Sequence, residues 1–150
     1  MTRHSLSILG FAGLAMILCA APASAKPAAA KHLSTASGVY TEAQAAEGAT
    51  LYQGTCALCH GANLMGTFEV PTLVGRFVHN WSNGSVGTLF DYVSRAMPQM
   101  APGSLAPADN AKIVAYLLKA NGMPAGSKPL PSDQAALDKI AFAPVKVAAR

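Results

Sequence analysis

Apolar residues recur at steps of three and four in three stretches of this chain, the pattern of helices that bury one face. The first stretch opens on Thr41-Glu42-Ala43-Gln44, a capping-box pattern with Thr41 as N-cap and Gln44 three residues on. It predicts a helix over about 42–53, with Ala45, Gly48, Ala49 and Tyr52 on one face and Val39 and Tyr40 stapling its start. A mid-helix glycine costs helix propensity, so Gly48 is read as a notch for another helix, with Tyr116 as its partner. The second stretch, Val86 to Ala96, carries Leu89, Phe90 and Val93 at helical spacing, with Gly87 near its start and Pro98 as a stop. The third and longest opens at Pro107-Ala108-Asp109 and ends at the C-cap signal Asn121-Gly122. Its apolar face is Ile113, Val114, Tyr116, Leu117 and Leu118. A short helix is expected within Ser132 to Ile140, capped by Ser132, with Leu137 and Ile140 inward. Gly61 to Asn80 has no sustained period and reads as irregular chain, and Met97 to Gly103 reads as a loop. The fold class is all-α, with about three main helices and no internal repeat.

The first residues change the picture of where this body resides. Arg3, the apolar run from Leu6 to Ala20 and the small residues Ala23-Ser24-Ala25 form a secretory signal, with cleavage after Ala25. The run is shorter than the roughly 20 residues of a spanning helix, which argues against an uncleaved anchor. Bulky Ile17 and Leu18 before Cys19 argue against a lipidation site. Residues 26–37, rich in Ala, Lys, Ser and Pro, form a flexible leader; 38–122 form the folded domain, and 123–150 a tail holding the short helix. Loss of Arg3 with the signal leaves ten basic and seven acidic residues, a mildly basic +3 with histidines neutral. The basic residues are spread along the chain, which excludes the clustering of a nucleic-acid binder but suits docking on an acidic partner.

Cys56-Ala57-Leu58-Cys59-His60 is a C-x-x-C-H pentapeptide, the attachment signature of c-type haem. The two thiols would add to the porphyrin vinyl groups as thioethers, and the adjacent imidazole would bind iron from one face. One helical turn places residues three and four apart on a shared edge, as that chemistry needs. Two other readings of a C-x-x-C pair are weaker. No strand-rich βαβ context surrounds it, as a dithiol redox pair would require. A structural zinc site needs four ligands, and without Cys19 only two cysteines remain, so His32 and His79 would both have to join. Export agrees with the haem reading, because c-type haem is assembled outside the bacterial cytoplasm.

A sixth iron ligand would close the metal to substrates. A soft methionine sulfur favours ferrous iron, raises the potential and suits electron transfer. Met65 is too near His60 to reach the opposite face, and Met123 lies beyond the expected ligand loop. Met97 and Met100 share the proline-bearing loop before the last long helix and compete for the role. Core filling is the ordinary use of a methionine, and His79 offers a bis-histidine alternative.

Over residues 38–140 the chain resembles the class I cytochromes c of bacterial respiratory chains. The likeness runs in order through Gly48-x-x-x-Tyr52, Cys56-Ala57-Leu58-Cys59-His60-Gly61 and Val70-Pro71-Thr72-Leu73-x-Gly75. It continues through Trp81 to Phe90, Met97-Pro98, Ala101-Pro102-Gly103-Ser104-Leu105 and Val114-Ala115-Tyr116-Leu117. The Met-Pro-x-x-Ala-Pro-Gly-Ser-Leu stretch is most similar to cytochromes associated with quinoprotein-type dehydrogenases. The resemblance implies a small monohaem fold wrapped around one covalent haem c held by Cys56 and Cys59. It implies His60 as proximal ligand and Met97, the methionine before proline, as distal ligand, with Met100 second. It also implies that the Pro71 carbonyl accepts a hydrogen bond from the far nitrogen of the ligand histidine. Trp81 and Arg76 are read as propionate neighbours, because indole N–H and guanidinium are donors. Against that stand simple core packing for Trp81 and a solvated position for Arg76. The acidic residues usual before the last helix are reduced to Asp109, and the leader and tail depart from the family.

The expected function is that of a periplasmic electron carrier, with no catalytic residues. Its partners would be redox proteins, a dehydrogenase as donor and an oxidase or another cytochrome as acceptor. Nucleic acid is not expected, and a membrane would be met only through partners. One rival is a subunit of a dehydrogenase complex that docks through its tail; another is a haem enzyme with a displaceable distal ligand.

Overall fold

Thr41 caps the first helix as its pattern predicts: its hydroxyl accepts from the Gln44 backbone N–H at 3.2 Å. The computed structural model describes residues 33–143, so the expected signal segment and most of the leader lie outside the described residues. In chain order the elements are a 3-10 turn Thr35–Ser37, α1 Glu42–Thr55, α2 Ala57–His60, α3 Arg76–Trp81, α4 Val86–Ala96, α5 Pro107–Ala120 and α6 Gln134–Leu137. Among the described residues there are no strands, only isolated bridges from Ala141 to Ser34 and Ser85. None of the described helices is long and apolar enough to cross a membrane.

The three long helices are those whose periodicity and stop signals were strongest. α1 and α5 pack together, burying Ala45 and Tyr52 against Ile113, Val114 and Leu117. Gly48 is the point of closest approach. A Cβ there would lie 1.9 Å from the Lys112 carbonyl oxygen, so the notch receives the α5 backbone and not the Tyr116 ring expected from sequence. Tyr116 instead packs on Tyr52, with ring centroids 5.3 Å apart. Lys112 then sits close enough to bridge Glu47 and Asp109, both at 3.2 Å, and Lys119 pairs with Glu42.

Gln44 does not complete the capping box. Its amide reaches residue 130 instead, donating to the Leu130 carbonyl at 2.8 Å and accepting from the Leu130 N–H at 2.7 Å. That pairing belongs to a tail that folds back on the body. Met123, Leu130, Leu137, Ile140 and Phe142 are all buried. The short helix is capped by Asp133, which accepts from the Ala136 N–H at 2.9 Å, one residue later than the expected Ser132. Gly87 of α4 makes room for it, since a Cβ there would collide with Asp138.

The end of the leader is packed as well. Thr35 is fully buried, its N–H donates to Ala141, and its hydroxyl accepts from the Ala143 N–H at 3.0 Å. The folded body therefore extends on both sides of the expected 38–122. A short polar segment gives no periodic signal when a distant partner orders it. The irregular stretch expected over 61–80 also holds a helix, α3, which begins after Gly75 (φ 65°) and buries Phe77 and Val78. Six residues are too few for a period to be read.

Candidate functional site

α1 delivers the pentapeptide and α2 shapes it. The Cys59 and His60 N–H groups both donate to the Cys56 carbonyl, at 3.1 and 2.9 Å, closing one turn that holds the thiols and the imidazole. Tyr52 fixes the far end: its hydroxyl donates to the Gly61 carbonyl at 2.7 Å. Burial, together with the nearby Cys56 and Tyr116, pushes the Tyr52 phenol up to about 12, so it remains a donor throughout the neutral range. Cys56 is half-buried and Cys59 exposed. Burial raises the Cys56 thiol; a hydrogen bond with Thr55 works against this, and Cys59 adds to it.

Pro71 meets this turn from the Gly61–Gly75 strap. Its carbonyl lies 3.0 Å from His60 Nδ1. A carbonyl only accepts, so Nδ1 carries a proton, and of the two neutral tautomers this is the one that leaves Nε2 its lone pair, as a metal-binding imidazole needs. The strap that sets this carbonyl is stitched to itself. Gly66 N–H donates to His60, Thr67 N–H to Val70, and Leu73 N–H to Leu64, each at 2.8 Å. The Thr72 hydroxyl spans Leu64 and Val74. Gly66 lies directly beneath the proline, where a Cβ would be 2.2 Å from the Val70 carbonyl oxygen.

These elements surround a cleft of about 460 Å³, within the range of about 300–1,000 Å³ typical of ligand and cofactor sites. Its apolar walls include Leu73, Phe77, Leu89, Val93 and Leu117, from the strap and from α3, α4 and α5. Cys56, Cys59, His60, Pro71, Trp81 and Met97 all line it. Trp81 is a wall residue packed against Phe77 and Tyr92, with centroids 6.2 and 5.6 Å away. Arg76 does not join them. It opens α3 on the exposed side, since that helix turns Phe77 and Val78 into the core. Met100 is 91% exposed and outside the cleft lining, and His79 is likewise exposed. Sequence reasoning did not find Leu89, Val93 and Leu117 as cleft residues, although it placed all three on inward helix faces.

The donor set fits an iron porphyrin. One cleft holds two thiols on one helical turn, an imidazole tautomer with a bare Nε2, a thioether side chain and extensive apolar wall. An all-α body with such a cleft is that of a c-type cytochrome. The family model described as cytochrome c oxidase, cbb3-type, subunit III matches residues 43–117, and the chain belongs to that family. A domain of this family carries haem and serves electron transfer. Among solved structures, it is similar to the crystal structure of the sulfane dehydrogenase SoxCD from Paracoccus pantotrophus. The identity is 27% over 60% of this chain and 54% of that one, with a TM-score of 0.43. The chain thus spans about half the length of that relative. No curated protein matches it.

Proposed function

We propose that this chain is a periplasmic electron carrier holding one haem c through thioethers from Cys56 and Cys59, with His60 Nε2 and Met97 Sδ as axial donors. The observation that carries this reading is the Pro71–His60 hydrogen bond, which leaves Nε2 as the free donor in a cleft that Met97 also lines. When bound, the haem supplies a one-electron ferric/ferrous couple. The chain's own residues set the conditions for that couple. The Pro71 carbonyl fixes the imidazole plane and strengthens it as a donor. Met97 brings a soft sulfur from the C-cap of α4, and apolar walls exclude water, which together favour the reduced state. Met97 is favoured over Met100 because only Met97 lines the cleft.

The site opens beside Cys59, where Leu58 is 96% exposed. Phe68 and Met100 are further exposed apolar residues on segments that border the cleft. Such a rim suits a small, transient interface with a redox partner, a dehydrogenase donor or an oxidase or cytochrome acceptor. Any membrane association would run through those partners. Within the tail, residues 123–143 bury Met123, Leu130, Leu137, Ile140 and Phe142 against the body, so those apolar side chains are not free for a partner. Export rests on the charged start, the apolar run and the Ala23-Ser24-Ala25 site.

The test is covalent attachment. Protein made with periplasmic haem assembly should stain for haem on a denaturing gel. Cys59→Ala should keep one thioether at most, and Cys56→Ala with Cys59→Ala should lose the stain. Undiminished staining of the double variant would overturn the attachment.

A further inference from the structure

The two chain segments that supply and orient the axial donors are both hydrogen-bonded to one helix through asparagine side chains. Asn110 lies in α5 and is 2% exposed. Its Nδ2 donates to the Ser94 hydroxyl at 3.1 Å and to the Leu105 carbonyl at 3.4 Å. Ser94 stands three residues before Met97, and Leu105 ends the loop that Met97 begins. The bond therefore ties together the two ends of the Met97 loop. Asn121, the C-cap of α5, donates from Nδ2 to the Leu73 carbonyl at 2.9 Å and to Leu117 at 2.8 Å. Leu73 lies two residues beyond Pro71 on the strap. The two asparagines are eleven positions apart, about three helical turns, which places them on the same side of α5.

In both residues the other amide atom, Oδ1, is buried with no hydrogen-bond partner among the described residues. An unpaired buried acceptor costs stability, and an apolar residue would avoid that cost. What the asparagines provide is the donor side: one donor grips the ends of the Met97 loop, the other the strap whose Pro71 carbonyl orients His60.

We propose that Asn110 and Asn121 are positioning residues that hold the sulfur side and the imidazole side of the iron site separately, a proposal that rests on the assignment of His60 and Met97 above. The two clamps act on different atoms. Within the Met97 loop the backbone hydrogen bonds are two turns, Ala101 to Pro98 and Ser104 to Ala101, so the base clamp governs how often the loop opens and Met97 leaves. The Leu73 clamp acts on the strap, and so on the Pro71 carbonyl that accepts from His60 Nδ1.

Two readouts on the holoprotein separate the roles: carbon monoxide uptake by the ferrous form, which requires Met97 to leave, and NMR exchange of the His60 ring N–H, which requires the Pro71 bond to open. Asn110→Ala should speed carbon monoxide uptake about two- to ten-fold, the factor that one net hydrogen bond represents, and leave ring N–H exchange unchanged. Asn121→Ala should do the reverse. Ser94→Ala removes an Asn110 partner with less disturbance of the core and should act in the same direction as Asn110→Ala. Asn121→Gly removes the same donor at this C-cap, whose φ is −95° and which is followed by the left-handed Gly122, and should match Asn121→Ala. Leu137→Ala, buried in the short helix that packs at the Gly87 end of α4, opposite the Met97 end, supplies a loss of stability away from both clamps and should move neither rate. The proposal is overturned if the asparagine variants change both rates together, change neither, or behave as Leu137→Ala does. A wild-type ferric protein without far-red sulfur-to-iron absorption would remove the ligand assignment itself, and the proposal with it.

Discussion

The strap Gly61–Gly75 and the loop Met97–Leu105 both line the cleft, yet they are held in different ways. The strap is crossed by backbone bonds from Gly66, Thr67 and Leu73 and by the Thr72 hydroxyl. It also holds Leu64 at φ 63°, a left-handed conformation that a leucine adopts only when its surroundings over-determine it. That leucine is buried, and its carbonyl accepts from both Leu73 N–H and Thr72. The loop has two internal turns and a mostly exposed tip, and it is gathered at its base by Asn110. The contrast teaches that the imidazole donor is built into a stiff frame, whereas the sulfur donor hangs on a segment that can yield. Of the two iron bonds proposed for His60 and Met97, the one to Met97 is expected to break first under heat, denaturant or a competing ligand.

A matched pair of glycine substitutions should expose this contrast. Gly66 and Gly103 both have positive φ, at 68° and 74°. Gly66→Ala adds a collision with the Val70 and Pro71 backbone to the left-handed strain. It should cost at least about 3 kcal/mol in denaturant unfolding of the holoprotein. At Gly103 the nearest atom to a new Cβ is the Ser94 carbonyl oxygen, 3.9 Å away. Gly103→Ala should therefore cost only the strain, about 1–2 kcal/mol. Equal losses at the two sites would mean that the strap is no stiffer than the loop.

Much of this was legible along the chain. α4 and α5 were marked by a helical period and by Pro98, Pro107 and Asn121-Gly122 as punctuation, and α1 by its capping pattern and small-residue face. The pentapeptide, Pro71, Trp81 and Met97 were identified from sequence, and they meet in one cleft. Other features were hidden because their cause lies far away in sequence. Gln44 looked like half of a capping box, yet its amide is used by Leu130, 86 residues on. Asn121 read as a helix stop, and its bond to Leu73 spans 48 residues. Gly48 is the notch its mid-helix position suggests, but backbone and not a ring fills it. The charge of Arg76 suggests a propionate neighbour, but charge alone does not decide which face of a six-residue helix is exposed.

The most direct test of the iron site is the far-red absorption of the ferric protein, which reports sulfur bound to iron. The wild type and Met100→Ala should both show the band, and Met97→Ala should lose it. A band that survives in Met97→Ala and disappears in Met100→Ala would contradict the account.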